Sequence, residues 1–207
     1  MRPSLIIILS FFISIAFGQL GEGIVHVAIN EHTRIDFYSD TLKQTPDKQI
    51  QFFEDASINS LSIKNLERER EWLNPQAMWL DYSFFFFRCI RQTRGYYEVV
   101  ANNDTGKTFW IKQADYLSFQ DWEEFLISVL TVGRNTEQEI KEKPDETAQT
   151  IAFTSDECFH VKQMQGDWVE ITTEGLCTEG QTDRNYTTGW IKWREGDVLL
   201  IDYYLTM

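Results

Sequence analysis

The chain has 207 residues, of which 43% are hydrophobic and 14% aromatic, enough apolar surface for a packed core, which excludes a largely disordered polymer. Lys and Arg number 19 against 32 Asp and Glu, a formal charge of −13, and no basic cluster offers the face a nucleic-acid binder needs to neutralise phosphates. The same balance works against adsorption to anionic lipid.

In chain order, residues 5–17 read LIIILSFFISIAF, an apolar run of 13 preceded by Arg2 and closed by Ala16, Phe17 and Gly18. Charge, apolar run and small residues in that order predict a secretory signal peptide over 1–18. The run is short of the roughly 20 residues that span a bilayer, so export to the periplasm or cell exterior without stable membrane insertion is expected. Of the 207 residues, removing 18 leaves 189, and loss of Arg2 moves the charge from −13 to −14.

From Gly23 the sequence GIVHVAI alternates, with Val25, Val27 and Ile29 on one side, the period of a half-buried strand. Pro46 and Asp47 mark a turn before IQFFE, and the charged segment from Ile63 to Leu73 predicts a short exposed helix ended by Asn74 and Pro75. Trp79 to Gln92 holds four consecutive phenylalanines, Phe84 to Phe87, and predicts a well-covered strand. YYEVV and KTFWIK flank a turn from Asn102 to Gly106, a hairpin signal. From Ser118 the spacing of Trp122, Phe125, Leu126, Val129 and Leu130 predicts an amphipathic helix over about 119–132, with Ser118 and Asp121 at capping-box spacing and Gly133 as its stop. The polar stretch 134–150 predicts an acidic linker. After it, short strand-like runs separated by glycine turns predict a small barrel over 151–207.

Of the three cysteines, Cys158 and Cys177 lie 19 apart in the tail and are the expected disulfide pair, closing a loop worth about 3 kcal/mol. Cys89, in the phenylalanine-rich strand, is expected to pack as a small buried hydrophobe. His160 stands two residues from Cys158, but no second ligand pair completes a metal set, so neither metal nor cofactor is expected. A nucleophile pair of Cys89 and His160 is disfavoured, because nothing near Cys89 would lower its pKa. Serine-hydrolase, phosphate-loop and dinucleotide motifs are lacking. Carboxylates are too many for a pair of them to signify a hydrolase. N-x-T sequons stand at Asn103 and Asn185.

The two halves share a pattern. Tyr97, Glu98 and Val99 match Val169, Glu170 and Ile171, and Trp110, Ile111 and Lys112 match Trp190, Ile191 and Lys192, which predicts one strand–turn–strand unit used twice. Gly166 to Ile171 (GDWVEI) followed by Thr188 to Trp193 (TGWIKW) resembles the bacterial SH3-like domain, well over 151–207 and weakly over 23–117. The resemblance implies a five-stranded barrel used for binding. The expected fold is therefore mostly β: two small SH3-like β-barrels, over 19–117 with an insertion and over 151–207, with a docked amphipathic helix at 118–133 and an acidic linker.

Trp168 and Trp190 are expected as core or cross-strand partners, while alternation along the last hairpin should turn either Trp190 or Trp193 outward. Trp168, Trp193 and Tyr203 form the expected ligand surface. The expected function is that of an exported, non-catalytic envelope protein binding a peptide, protein or cell-wall glycan. The alternatives are an exported hydrolase with an unrecognised carboxylate site and a structural envelope component.

Overall fold

The computed structural model describes residues 20–64, 71–135, 137–152, 158–173 and 188–206. The signal segment, Cys177, Asn185 and the middle of the expected helix at 63–73 lie outside the described residues. The described residues are mostly β with one short α-helix. Its elements are β1 (Gly23–Val27), β2 (Arg34–Tyr38), β3 (Lys48–Asp55), β4 (Ser60–Ile63), β5 (Ala77–Trp79), β6 (Phe84–Thr93), β7 (Tyr96–Asn102), β8 (Lys107–Lys112) and β9 (Leu117–Asp121). They continue with α1 (Trp122–Ser128), β10 (Thr131–Arg134), β11 (His160–Gln165), β12 (Trp168–Thr172), β13 (Thr188–Lys192), β14 (Arg194–Glu195), β15 (Val198–Leu199) and β16 (Ile201–Tyr204).

The first nine strands make one antiparallel sheet ordered β4-β3-β2-β8-β7-β6-β1-β9, with β5 added to β6. It is curled. Phe52 on β3 and Phe85 on β6 are four strand spacings apart, roughly 19 Å in a flat sheet at about 4.8 Å per strand, yet their rings meet at 5.1 Å. The hollow is filled by fully buried Phe37, Phe52, Phe85 and Phe87 with Ile35, Ile50, Val99 and Ile111. Successive phenylalanines of β6 point to opposite faces: Phe85 and Phe87 go into this core, while Phe86 goes into a second one. The four-phenylalanine run is thus covered on both faces. The expected β7–β8 hairpin is present, with Glu98 opposite Trp110 and Gly106 at φ 68° in the turn.

The helix is shorter than the apolar spacing predicts. β9 keeps pairing with β1 as far as Asp121 opposite Gly23, so Ser118 is a strand residue and Asp121 is the N-cap, its carboxylate accepting the Glu124 N–H. At the other end Leu130 donates its N–H to Tyr204, not to the helix, and Gly133 lies within β10 opposite Asp202. A seven-residue helix is marginal alone; packing holds it. Phe125 meets Phe86 at 5.6 Å and Tyr203 at 5.0 Å, and Trp122 meets Trp193 at 5.6 Å.

The stretch 134–150, expected as a linker, folds back as a hairpin. Glu142 donates to Gln149 at 3.0 Å and Ile151 to Ile140 at 2.8 Å, and Lys141 exchanges two 2.8 Å backbone bonds with Trp190 on β13. Glu142, Lys143, Asp145 and Glu146 are exposed, whereas Ile140, 1% exposed, anchors it.

The two halves share strand pairing in detail. Between β6 and β7 the pairs run Arg88 with Val100 and Cys89 with Val99, skip Ile90, and resume with Arg91 opposite Glu98. Between β11 and β12 they run His160 with Thr172 and Val161 with Ile171, skip Lys162, and resume with Gln163 opposite Glu170. Every position is displaced by 72 residues, bulge included. In the next ladder Glu98 opposite Trp110 corresponds to Glu170 opposite Trp190. The Gln113 N–H donates to Gly95 at 3.0 Å, as that of Trp193 does to Asp167 at 3.0 Å. Val25 stands between Phe87 and Phe119; Val132 stands between Phe159 and Tyr203. The order β8-β7-β6-β1-β9 is therefore matched by β13-β12-β11-β10-β16, with β10 joined to β11 through Val132 and Phe159.

Candidate functional site

The residues expected to form a ligand surface do not come together as one. Trp193 is 2% exposed; its indole N–H donates to the Gly166 carbonyl at 2.9 Å and its ring lies against Trp122. Trp190, on the opposite face of β13, is 9% exposed and exchanges backbone bonds with Lys141 of the 140–151 hairpin. Neither tryptophan is left exposed, although strand alternation puts them on opposite faces. Trp168 is half-buried under the Lys192 ammonium, 5.7 Å from its ring centre. Tyr203 lines a cleft.

That cleft, about 430 Å³, lies between β5 and β16 and is lined by Gln76, Trp79, Leu199, Asp202, Tyr203 and Tyr204 among others, a size suited to ligand binding. The β5 wall is positioned by Asn74, which donates its N–H to Ala101 at 2.7 Å, accepts that of Asn103 at 2.8 Å and bonds Asp104 through its side chain. Pro75 follows and β5 then pairs with β6, Ala77 opposite Phe86. A single 3₁₀ turn, Leu80–Tyr82, is closed by Ser83 at φ 58°, a left-handed conformation uncommon outside glycine. The turn leaves Trp79 49% and Tyr82 64% exposed, with Tyr82 stacked on Phe84 and Trp79 edge-on to it.

The β16 wall carries Tyr203, whose ring packs on Phe125 and whose hydroxyl accepts a hydrogen bond from the Gln76 amide across the cleft. Burial pushes the Tyr203 phenol up, against the opposing effects of Gln76 and of the Arg88 charge. Beneath it Arg88 is half-buried. Desolvation holds its guanidinium below the ordinary value, opposed by Tyr203 and Asp197, and its Nε has no hydrogen-bond partner among the described residues. Tyr204, next along β16, also lines the cleft and is 48% exposed. The ionisable side chains of this lining are Asp202 and the two tyrosines: an apolar and aromatic surface with one carboxylate at its rim, suited to holding a ligand.

Elsewhere, Cys158 is disulfide-bonded and Cys89 is a free buried thiol, pushed up to about 12 chiefly by burial, the reverse of nucleophile activation. Among the described residues no group of three or more His, Cys, Asp or Glu is placed to hold a metal ion, and no helix is long and apolar enough to cross a membrane. Sequence reading missed Trp79, Gln76 and Leu199 because the cleft unites segments about 120 positions apart. Its one local signal was the Tyr203–Tyr204 pair, since adjacent strand residues face opposite sides. No protein-family model, curated protein or solved structure matches the chain.

Proposed function

We propose that this chain is an exported, non-catalytic binding or scaffolding protein of the bacterial cell envelope, built from two copies of an SH3-like five-stranded unit. Its ligand is held in the cleft between β5 and β16. Export rests on the order of charge, apolar run and small residues in 1–18. Duplication is supported by the matching register of five strands and by the bulge at the same place in both halves. Chance similarity of hairpins would not preserve the bulge, because a one-residue slip turns every side chain to the other face.

The observation that carries the binding site is the exposure of Trp79 and Tyr204, 49% and 48%, on the two walls of one cleft. Phe85, Phe86, Phe87, Phe125 and Trp193 are buried to 2% or less, so exposed aromatics here are exceptions, and aromatic side chains dominate binding hot spots. The test is recovery of partners from envelope extract with wild type and with a Trp79→Ala, Tyr204→Ala variant. Partners held by the wild type should be lost by the variant while thermal stability changes little. Equal recovery contradicts the site.

A further inference from the structure

From the edge geometry of β16 we infer that the cleft takes an extended peptide with cationic side chains, which adds as a strand to the open edge of β16; this rests on the cleft being the binding site. The parity of the strand fixes which groups are offered. Val132 exchanges backbone bonds with Phe159 at 2.7 and 3.0 Å, so β10 turns the polar groups of Thr131 and Gly133, not Val132, toward β16, opposite Tyr204 and Asp202. The Asn135 N–H reaching the Leu200 carbonyl at 3.3 Å keeps the same alternation. The N–H and C=O groups of Ile201 and Tyr203 therefore point to the other edge, where β16 has no partner strand among the described residues and along which the cleft runs.

Among the described residues the facing strand β5 is likewise paired on one side only, by β6. An edge of this kind is a template for another chain, and main-chain pairing with side-chain pockets on alternate positions is an established mode of peptide capture. Successive side chains of an added strand would fall alternately toward the Trp79 and Tyr203 walls and toward solvent. Charge selects the peptide. The carboxylate in the lining, Asp202, is exposed and the whole chain carries −13, so cationic side chains are attracted and acidic ones repelled. A glycan would use the aromatic rings and leave the edge amides unpaired.

The experiment titrates the full chain, isotopically labelled, with millimolar acetylated octapeptide of alternating lysine and valine. Parallel titrations use two copies N-methylated at every lysine or at every valine, an alternating glutamate–valine octapeptide, and chitohexaose. The Lys–Val peptide should shift the Trp79 indole resonance and slow amide exchange of Ile201 and Tyr203 about tenfold or more. One methylated copy should bind about tenfold more weakly, and the Glu–Val peptide and Asp202→Asn should each weaken binding about two- to five-fold. If the peptide or chitohexaose shifts Trp79 but leaves the Ile201 and Tyr203 amides unprotected, or both methylated copies bind as well as the parent, the strand inference is overturned and the cleft stands. If no probe moves Trp79 or Tyr204, both are overturned.

Discussion

The N-terminal unit of β1 and β6–β9 and the C-terminal unit of β10–β13 and β16 use the same pairings but close their concave sides differently. In the first, β2, β3 and β4 fold over the hollow and supply Phe37, Ile50, Phe52 and Ile63. In the second, α1 and the outer face of β1 and β6 do so, with Trp122, Phe125, Ile24 and Phe86. One ladder of backbone bonds thus supports two lids, and the matched positions Phe109 and Gly189 each fit the lid they meet. Phe109 has Phe37 and Trp72 against its ring. The matching Gly189 has the 140–151 hairpin there: a Cβ would lie 2.5 Å from Ile140 Cγ2, 2.9 Å from Ile151 Cδ1 and 3.0 Å from the Lys141 carbonyl.

The largest expected effect tests whether the shared part of the two units is energetically shared. Phe87 and Phe159 are equivalent and both 0% exposed, so Phe87→Ala and Phe159→Ala should each cost about 3–5 kcal/mol in denaturant unfolding. A difference in cost larger than that range would break the equivalence. Gly189→Ala should cost about 1–3 kcal/mol because the hairpin must move, while Phe109→Leu, which keeps an apolar side chain in the same core, should cost about 1 kcal/mol; the reverse ranking would contradict the account of the two lids.

Acid should separate the units next. His26 lies on the outer face of β1 against Phe86 and Phe125, and its counterpart in β10 is Gly133. Burial holds the imidazole below its ordinary value, with its hydrogen bond to Gln120 acting the other way. As pH falls below about 6.5 the unfolded chain binds the proton first. Stability present above that pH is therefore lost as pH drops toward the folded-state value. The unfolding midpoint of wild type should fall between about pH 7.5 and 5.5 by more than that of His26→Phe; parallel profiles would show that the ring is not held neutral. The smallest effect concerns the exposed cross-strand pairs. Arg91 meets Glu98 at 2.7 Å as Gln163 meets Glu170 at 2.7 Å, so Arg91→Gln, which makes the first unit like the second, should change stability by about 0.5 kcal/mol or less.

Much of the β7–β8 and β12–β13 pairing was legible in the sequence, since turn chemistry at Asn102 to Gly106 and alternation in YYEVV and WVEIT are local signals. What was not legible came from tertiary pairing. Val129 and Leu130 continue the helical spacing, but Leu130 bonds to Tyr204. The charged 134–150 segment has its order imposed by Trp190 and by Ile140. Trp193 fits the pattern of an outward residue until the helix brings Trp122 against it. The cleft itself depends on Gln76 reaching Tyr203, a contact no window of sequence contains.

The matched register is most directly tested by Hα–Hα nuclear Overhauser contacts between the outer strands in solution. Val25 with Phe119 and Val132 with Tyr203 are both pairs of the close, non-hydrogen-bonded type, about 4.5 Å between Cα atoms. The account predicts a strong Hα–Hα contact for each. A contact from Val132 to Asp202 or Tyr204 instead, with Val25 still opposite Phe119, would contradict it.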